Sequence, residues 1–146
     1  QMTSKNAKPL FLSIQNLKEG QSCQETIHIT DDMVKDFILL TQDQAAIHMD
    51  SDHANRMGFK KPVVHGLLVG NGYSKIMGMS LPGSNAILHK INFEMLHPVF
   101  VEDLLTYKVE VSRIILSVNS IILNLTATNQ DGILVNRGSA TSVFQL

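Results

Sequence analysis

The spacing of apolar residues changes several times along this 146-residue chain, and each change predicts a different element. After a polar tail, Gln24 to Thr30 sets Ile27 and Ile29 on one side and His28 on the other, the period of a short strand. Thr30 then reads as a helix N-cap. Asp31 and Asp32 fall where the positive end of a helix favours acids, and Val34, Phe37, Ile38 and Thr41 draw a stripe at helical spacing. This helix is expected to stop near Gln42. Residues 43–62 carry Asp, His and Pro without a clear period and read as largely irregular, with a short helix from about Ser51 to Met57 closed by Gly58. Long connections of this kind commonly carry function.

Gly66 to about Gly78 is apolar nearly all round, which predicts a helix enclosed on every side. Leu67, Leu68, Val69, Ile76 and Met77 are its expected core residues. Each interior glycine costs about 1 kcal/mol relative to alanine, a cost explained if neighbouring groups must approach closely. The second half alternates. Strands are expected over Ala86–Phe93, Thr106–Arg113, Val118–Thr128 and Ile133–Phe144, with turn chemistry at Asn129-Gln130-Asp131-Gly132. Consecutive strands with short connections imply an antiparallel sheet. An early buried helix and a sheet long enough to curl around it make an α+β layered domain, expected to span 1–146 as one unit.

Charge and cysteine content narrow the function classes. Twelve Lys and Arg against thirteen Asp and Glu give a net charge of -1, and no basic run is interleaved with aromatics, so nucleic acid is not expected as a partner. One cysteine, Cys23, excludes an internal disulfide and a thiolate zinc cluster, which fits a reducing compartment, with the cytoplasm as the default. The stretch Pro62 to Met79 is broken by His65, Lys75 and four glycines and falls short of a membrane span. Gln1 to Leu10 lacks the apolar stretch of a signal peptide, and a Gln ahead of Met2 reads as an addition to the natural chain. Six His with neighbouring Asp50 and Asp52 match no zinc or iron spacing, so no metal is expected.

The chemistry concentrates in Asp43-Gln44-Ala45-Ala46-Ile47-His48 and in Lys61-Pro62-Val63-Val64-His65-Gly66. An Asp five residues before a His, with a His-Gly pair opening the next helix, resembles the signature of the MaoC-like, (R)-specific enoyl-CoA hydratases. Leu81-Pro82-Gly83 and Pro98-Val99-Phe100-Val101-Glu102-Asp103 look like that family's downstream pattern, so the resemblance runs over roughly residues 16–144. It implies a hot-dog fold, an antiparallel sheet wrapped around a central helix. It also implies a lyase that interconverts trans-2-enoyl and (R)-3-hydroxyacyl thioesters, carried on coenzyme A or acyl carrier protein, with no other cofactor. A homodimer with sites near the subunit interface is expected on the same ground.

Hydration needs a base for water as it attacks C3 and an acid for C2, tasks suited to Asp43 and His48 as the catalytic pair. Charge pushed onto the thioester oxygen needs a donor, which the resemblance assigns to the backbone N–H of Gly66 at the helix N-terminus. Ser74 stands where the family has a serine that hydrogen-bonds the aspartate, and His65 reads as structural. One departure matters: the family usually has Asn and Pro where this chain has Ala45 and Ala46. The lost amide bears on substrate choice or rate, or is replaced by Gln42 or Gln44. Two rival readings stay open, an acyl-thioester-binding module with little turnover and a thioesterase of the same fold.

Overall fold

The computed structural model describes residues 7–145. Residues 1–6, which include part of the predicted polar tail, and Leu146 lie outside the described residues. Five strands, β1 (Ser22–His28), β2 (Ala86–Met95), β3 (Leu104–Ile115), β4 (Ser120–Thr128) and β5 (Leu134–Phe144), form one antiparallel sheet in the order β1-β3-β4-β5-β2. Four helices, α1 (Asp31–Thr41), α2 (Ala46–Met49), α3 (Ser51–Arg56) and α4 (Gly66–Met79), precede β2. The α+β class and antiparallel sheet are as expected. No described helix is long and apolar enough to cross a membrane.

Strand alternation places Tyr107, Val109 and Val111 of β3 and Leu123, Leu125 and Ala127 of β4 on one face, each no more than 1% exposed. These residues form the core with Val69, Tyr73 and Ile76 of α4. Two glycines let the helix lie close to the sheet: a Cβ on Gly70 would meet the Phe93 ring at 2.1 Å, and one on Gly72 the Tyr107 ring at 2.1 Å. Close approach therefore accounts for these two helix-weakening residues. Tyr73 and Tyr107 meet edge to face at 5.1 Å between centroids. Tyr107 Oη donates to the Val69 carbonyl, and Tyr73 Oη to Asn136 Oδ1 at 2.8 Å. Burial pushes both phenols above their ordinary range, which keeps them neutral and structural at physiological pH.

Three expectations are corrected. Helix α4 is not enclosed on every side: Leu67, Asn71, Ser74 and Gly78, spaced three or four apart, make an exposed stripe, and Leu67 is 69% exposed. β2 and β3, consecutive in the chain, are not sheet neighbours; β2 pairs with β5 at the sheet edge. The segment after Gln42 is less irregular than its sequence reads, because Ala46–Met49 makes a turn of helix before α3.

The elements that hold the site are locally specified. Thr30 caps α1 by accepting from Met33 N at 3.2 Å, as its position predicts. The helix ends at Gln42, whose φ of 62° turns the chain into the left-handed region and sends Asp43 away from the helix axis. Asp50 caps α3 by accepting from His53 N at 2.9 Å, a bond that lowers the Asp50 pKa.

Candidate active site

Asp43 leaves α1 in a tight local arrangement. Its N–H donates to Thr41 Oγ1 at 3.2 Å, and its Oδ1 accepts from Ala45 N at 3.1 Å. The backbone amide of Ala45 thus serves one carboxylate oxygen at the position where the family's side-chain amide is missing. Gln42 does not supply a substitute: its Nε2 donates to Leu39 O at 3.0 Å and finishes the helix end. Gln44 is exposed.

His48 comes from α2 and is half-buried, with Nδ1 2.6 Å from the Val63 carbonyl. A carbonyl only accepts, so Nδ1 carries the proton and Nε2 of the neutral ring is left with its lone pair. Val63 is itself fixed from both sides: its N–H donates to Ile47 O at 3.1 Å, and the next residue, Val64, donates to Val99 O at 2.8 Å. The Pro98–Asp103 turn noted in the sequence therefore acts as a buttress. Asp103 ties it down by accepting from Phe100 N and from Gln130 Nε2, each at 2.9 Å.

Gly66 opens α4, with His65 as its N-cap residue. The first helical N–H groups have no acceptor within the helix and carry its positive end. Two clefts share His48, Val63 and Val64 in their linings, and one of them reaches Gly66. One, of about 340 Å³, runs past Ile38, Lys61 and Val101; the other, of about 390 Å³, runs past Gly66, Val69, Met95 and Val99. Both are within the size range of small-molecule sites.

His65 is the residue whose position the sequence did not reveal. It is 2% exposed, places Nε2 3.0 Å from the Asp43 carbonyl, and stacks on the His48 ring with centroids 3.9 Å apart and planes inclined by 25°. Asp43, His48 and His65 bring one ligand-type atom each within 4.8 Å of one another, so His65, expected to be structural, joins the pair that the sequence singles out. The stack argues against a shared ion. Imidazole lone pairs lie in the ring plane, and two nearly parallel planes cannot both contain one metal at about 2.0–2.1 Å.

The structure thus brings Asp43, His48 and the N-terminus of α4 together, and it leaves Ser74 out. Ser74 lies eight residues along α4 from Gly66, about 12 Å at a rise of 1.5 Å per residue, on the exposed stripe. No hydrogen bond joins it to Asp43 within the chain among the described residues.

An antiparallel sheet laid over a central helix is a hot-dog arrangement, and here Asp43 and His48 lie at that helix's N-terminus. A MaoC-like domain model matches residues 13–130, and the chain belongs to that family. It is 32% identical over 103 residues to an (R)-specific enoyl-CoA hydratase of Aeromonas caviae, covering 70% of this chain and 77% of the relative. A mitochondrial 3-hydroxyacyl-[acyl-carrier-protein] dehydratase of Solanum lycopersicum is 29% identical, with 88% and 78% of the two chains covered. Among solved structures, the (R)-hydratase from A. caviae superposes with a TM-score of 0.84 at 29% identity, over 90% of this chain and 99% of that one. An (R)-hydratase of Pseudomonas aeruginosa gives a TM-score of 0.82 at 26% identity, over 90% and 84%.

Proposed function

We propose that this protein is a hydro-lyase that reversibly adds water to trans-2-enoyl thioesters to give (R)-3-hydroxyacyl thioesters, on coenzyme A or acyl carrier protein. The observation that carries the reading is the 2.6 Å contact of His48 Nδ1 with the Val63 carbonyl, which accepts and so requires the proton on Nδ1. With Nδ1–H committed to the Val63 carbonyl, Nε2 keeps its lone pair to act as a base, on a residue that lines one cleft with Gly66 and has a ring nitrogen within 4.8 Å of an Asp43 carboxylate oxygen.

The steps follow from those positions. Asp43 and His48 hold a water between them. His48 Nε2 takes one proton as the water oxygen bonds to C3, and electrons move through C2 onto the thioester oxygen. The Gly66 N–H, at the positive end of α4, stabilises that oxygen. The imidazolium then returns a proton to C2, so the elements of one water are added and none is left over. No redox or metal cofactor enters this scheme. The test is to incubate the protein with a trans-2-enoyl-CoA and resolve the 3-hydroxyacyl product on a chiral column. An (R) product without free thiol supports the reading; free thiol with no hydroxyacyl product transfers it to a thioesterase.

We also infer a homodimer. Edge strand β2 leaves one row of backbone N–H and C=O groups unpaired and exposes Ile87, Leu88, Ile91 and Met95, beside the exposed α4 stripe that includes Leu67. Pairing two such edges extends the sheet and covers these residues. Ser74 stands on the stripe, and we assign its support of Asp43 to the contact between two copies. Sedimentation equilibrium at micromolar concentration should report twice the chain mass; a monomer would remove this assignment.

A further inference from the structure

His65 makes an unusual set of contacts for a core residue. Its Nδ1 is buried without a hydrogen-bond partner. An unsatisfied buried polar atom is destabilising, and a phenylalanine of similar outline would fill the space without it. Packing against Phe37, at 5.0 Å between centroids, therefore does not account for an imidazole. The other nitrogen does. Nε2 donates to the Asp43 carbonyl at 3.0 Å, across twenty-two residues of chain.

That bond matters because the other side-chain-mediated bonds of Asp43, to Thr41 and Ala45, are local. Local bonds shape the turn but do not fix it relative to α4. Among the described hydrogen bonds, the one from His65 is what ties Asp43 to the helix that carries Gly66. The same ring presents its face to His48 at 3.9 Å, so one side chain at the start of α4 touches both members of the acid/base pair.

The geometry points to His65 as the positioning residue of this site: its Nε2–H anchors the Asp43 backbone and its ring face sets the plane of His48. The inference rests on the hydratase reading above and deepens it. His65 does not touch the substrate in this role. It keeps carboxylate, base and helix N-terminus in register while water and thioester exchange, and a misplacement of about 1 Å at such a site can cost on the order of 10²-fold in rate.

Two variants separate the two contacts. His65→Phe keeps a ring to stack on His48 and removes the N–H; His65→Gln keeps an N–H that can reach the Asp43 carbonyl and removes the ring. Each is expected to lower kcat by about 10-fold or more while KM for an enoyl-CoA stays within about 3-fold, because the clefts remain. A filler role would leave kcat unchanged in both variants, and that result overturns the proposal. A third readout needs neither a variant nor turnover. Long-range proton–nitrogen NMR of the wild-type imidazoles should show His65 protonated on Nε2 alone and His48 on Nδ1 alone. A proton on Nδ1 of His65 with none on Nε2 overturns the tether even if the variants fail to fold. If the wild type hydrates no enoyl thioester, the hydratase reading falls and the NMR result alone judges the contact.

Discussion

The sheet interior and the segment from Asp43 to Gly66 hold their side chains by different means. In the sheet, Val109, Leu123 and Leu125 are fixed by apolar packing on one face and by the ladders of β3, β4 and β5 along their backbones. Position there is shared among many contacts, and an apolar replacement of equal volume costs little. In the segment, position depends on single bonds: Val63 O to His48 Nδ1, Asp43 O to His65 Nε2, Ala45 N to Asp43 Oδ1. Each has one donor and one acceptor. Changes to the exposed Asp43 and half-buried His48 side chains therefore bear on the chemistry more than on the fold, whereas Ala54 and Val64 of the same segment are buried and belong to the packing.

That contrast is tested first where it is sharpest. His48→Ala should lower kcat for enoyl-CoA hydration by about 10²- to 10⁴-fold. Its urea midpoint should stay close to wild type, since a half-buried side chain on a short helix carries little packing. Leu123→Ala reverses the pattern. It empties a fully buried site and should cost about 2–5 kcal/mol in chemical denaturation, while kcat per folded molecule changes by less than about 3-fold.

Gly66 lies where the two regions meet, and its variant sharpens the comparison. A Cβ there comes within 2.9 Å of Met95 Cε, the far end of a flexible side chain that can move. Gly66→Ala should thus fold with a loss under about 1 kcal/mol. It should lower kcat by about 10-fold through crowding of the amide assigned to the thioester oxygen. The smallest effect belongs to the buried phenols. Their folded pKa values are raised above the ordinary 10.0, so the neutral form is favoured in the fold. Their contribution is complete below pH 10 and is lost as pH rises above it, by about 1 kcal/mol per phenol per pH unit. Tyr73→Phe should flatten the decline of thermal stability measured above pH 10 and leave its value near neutrality lower by about 1 kcal/mol.

How much of this was legible in the sequence depended on whether the deciding interactions are local. α1 was readable because Thr30, Asp31 and the Val34-Phe37-Ile38 stripe specify it within eleven residues. α3 was readable from Ser51 to the closing Gly58 for the same reason, while its Asp50 cap emerged only in the structure. α2 was not, since a single turn is too short to show a period. The pairing of β2 with β5 joins residues as far apart as Ala86 and Phe144, which no local pattern encodes. The open stripe on α4 was misread because an apolar residue such as Leu67 has the same pattern whether this chain or a second copy covers it. At the site, Asp43, His48 and Gly66 stood out by spacing and type. The contacts of His65 did not, because the bond to the Asp43 carbonyl exists only once α4 returns to the end of α1.

The central claim is that Asp43 and His48 add water to an enoyl thioester, and its most direct test is spectroscopic. Absorbance loss of crotonyl-CoA and of a longer enoyl-CoA should be followed with wild type and Asp43→Asn, with a thiol reagent in a parallel reaction. The account predicts rapid loss with wild type, no thiol release, and a rate at least about 10²-fold lower with Asp43→Asn. A wild type that binds these thioesters without consuming them, or an Asp43→Asn variant as fast as wild type, would contradict it.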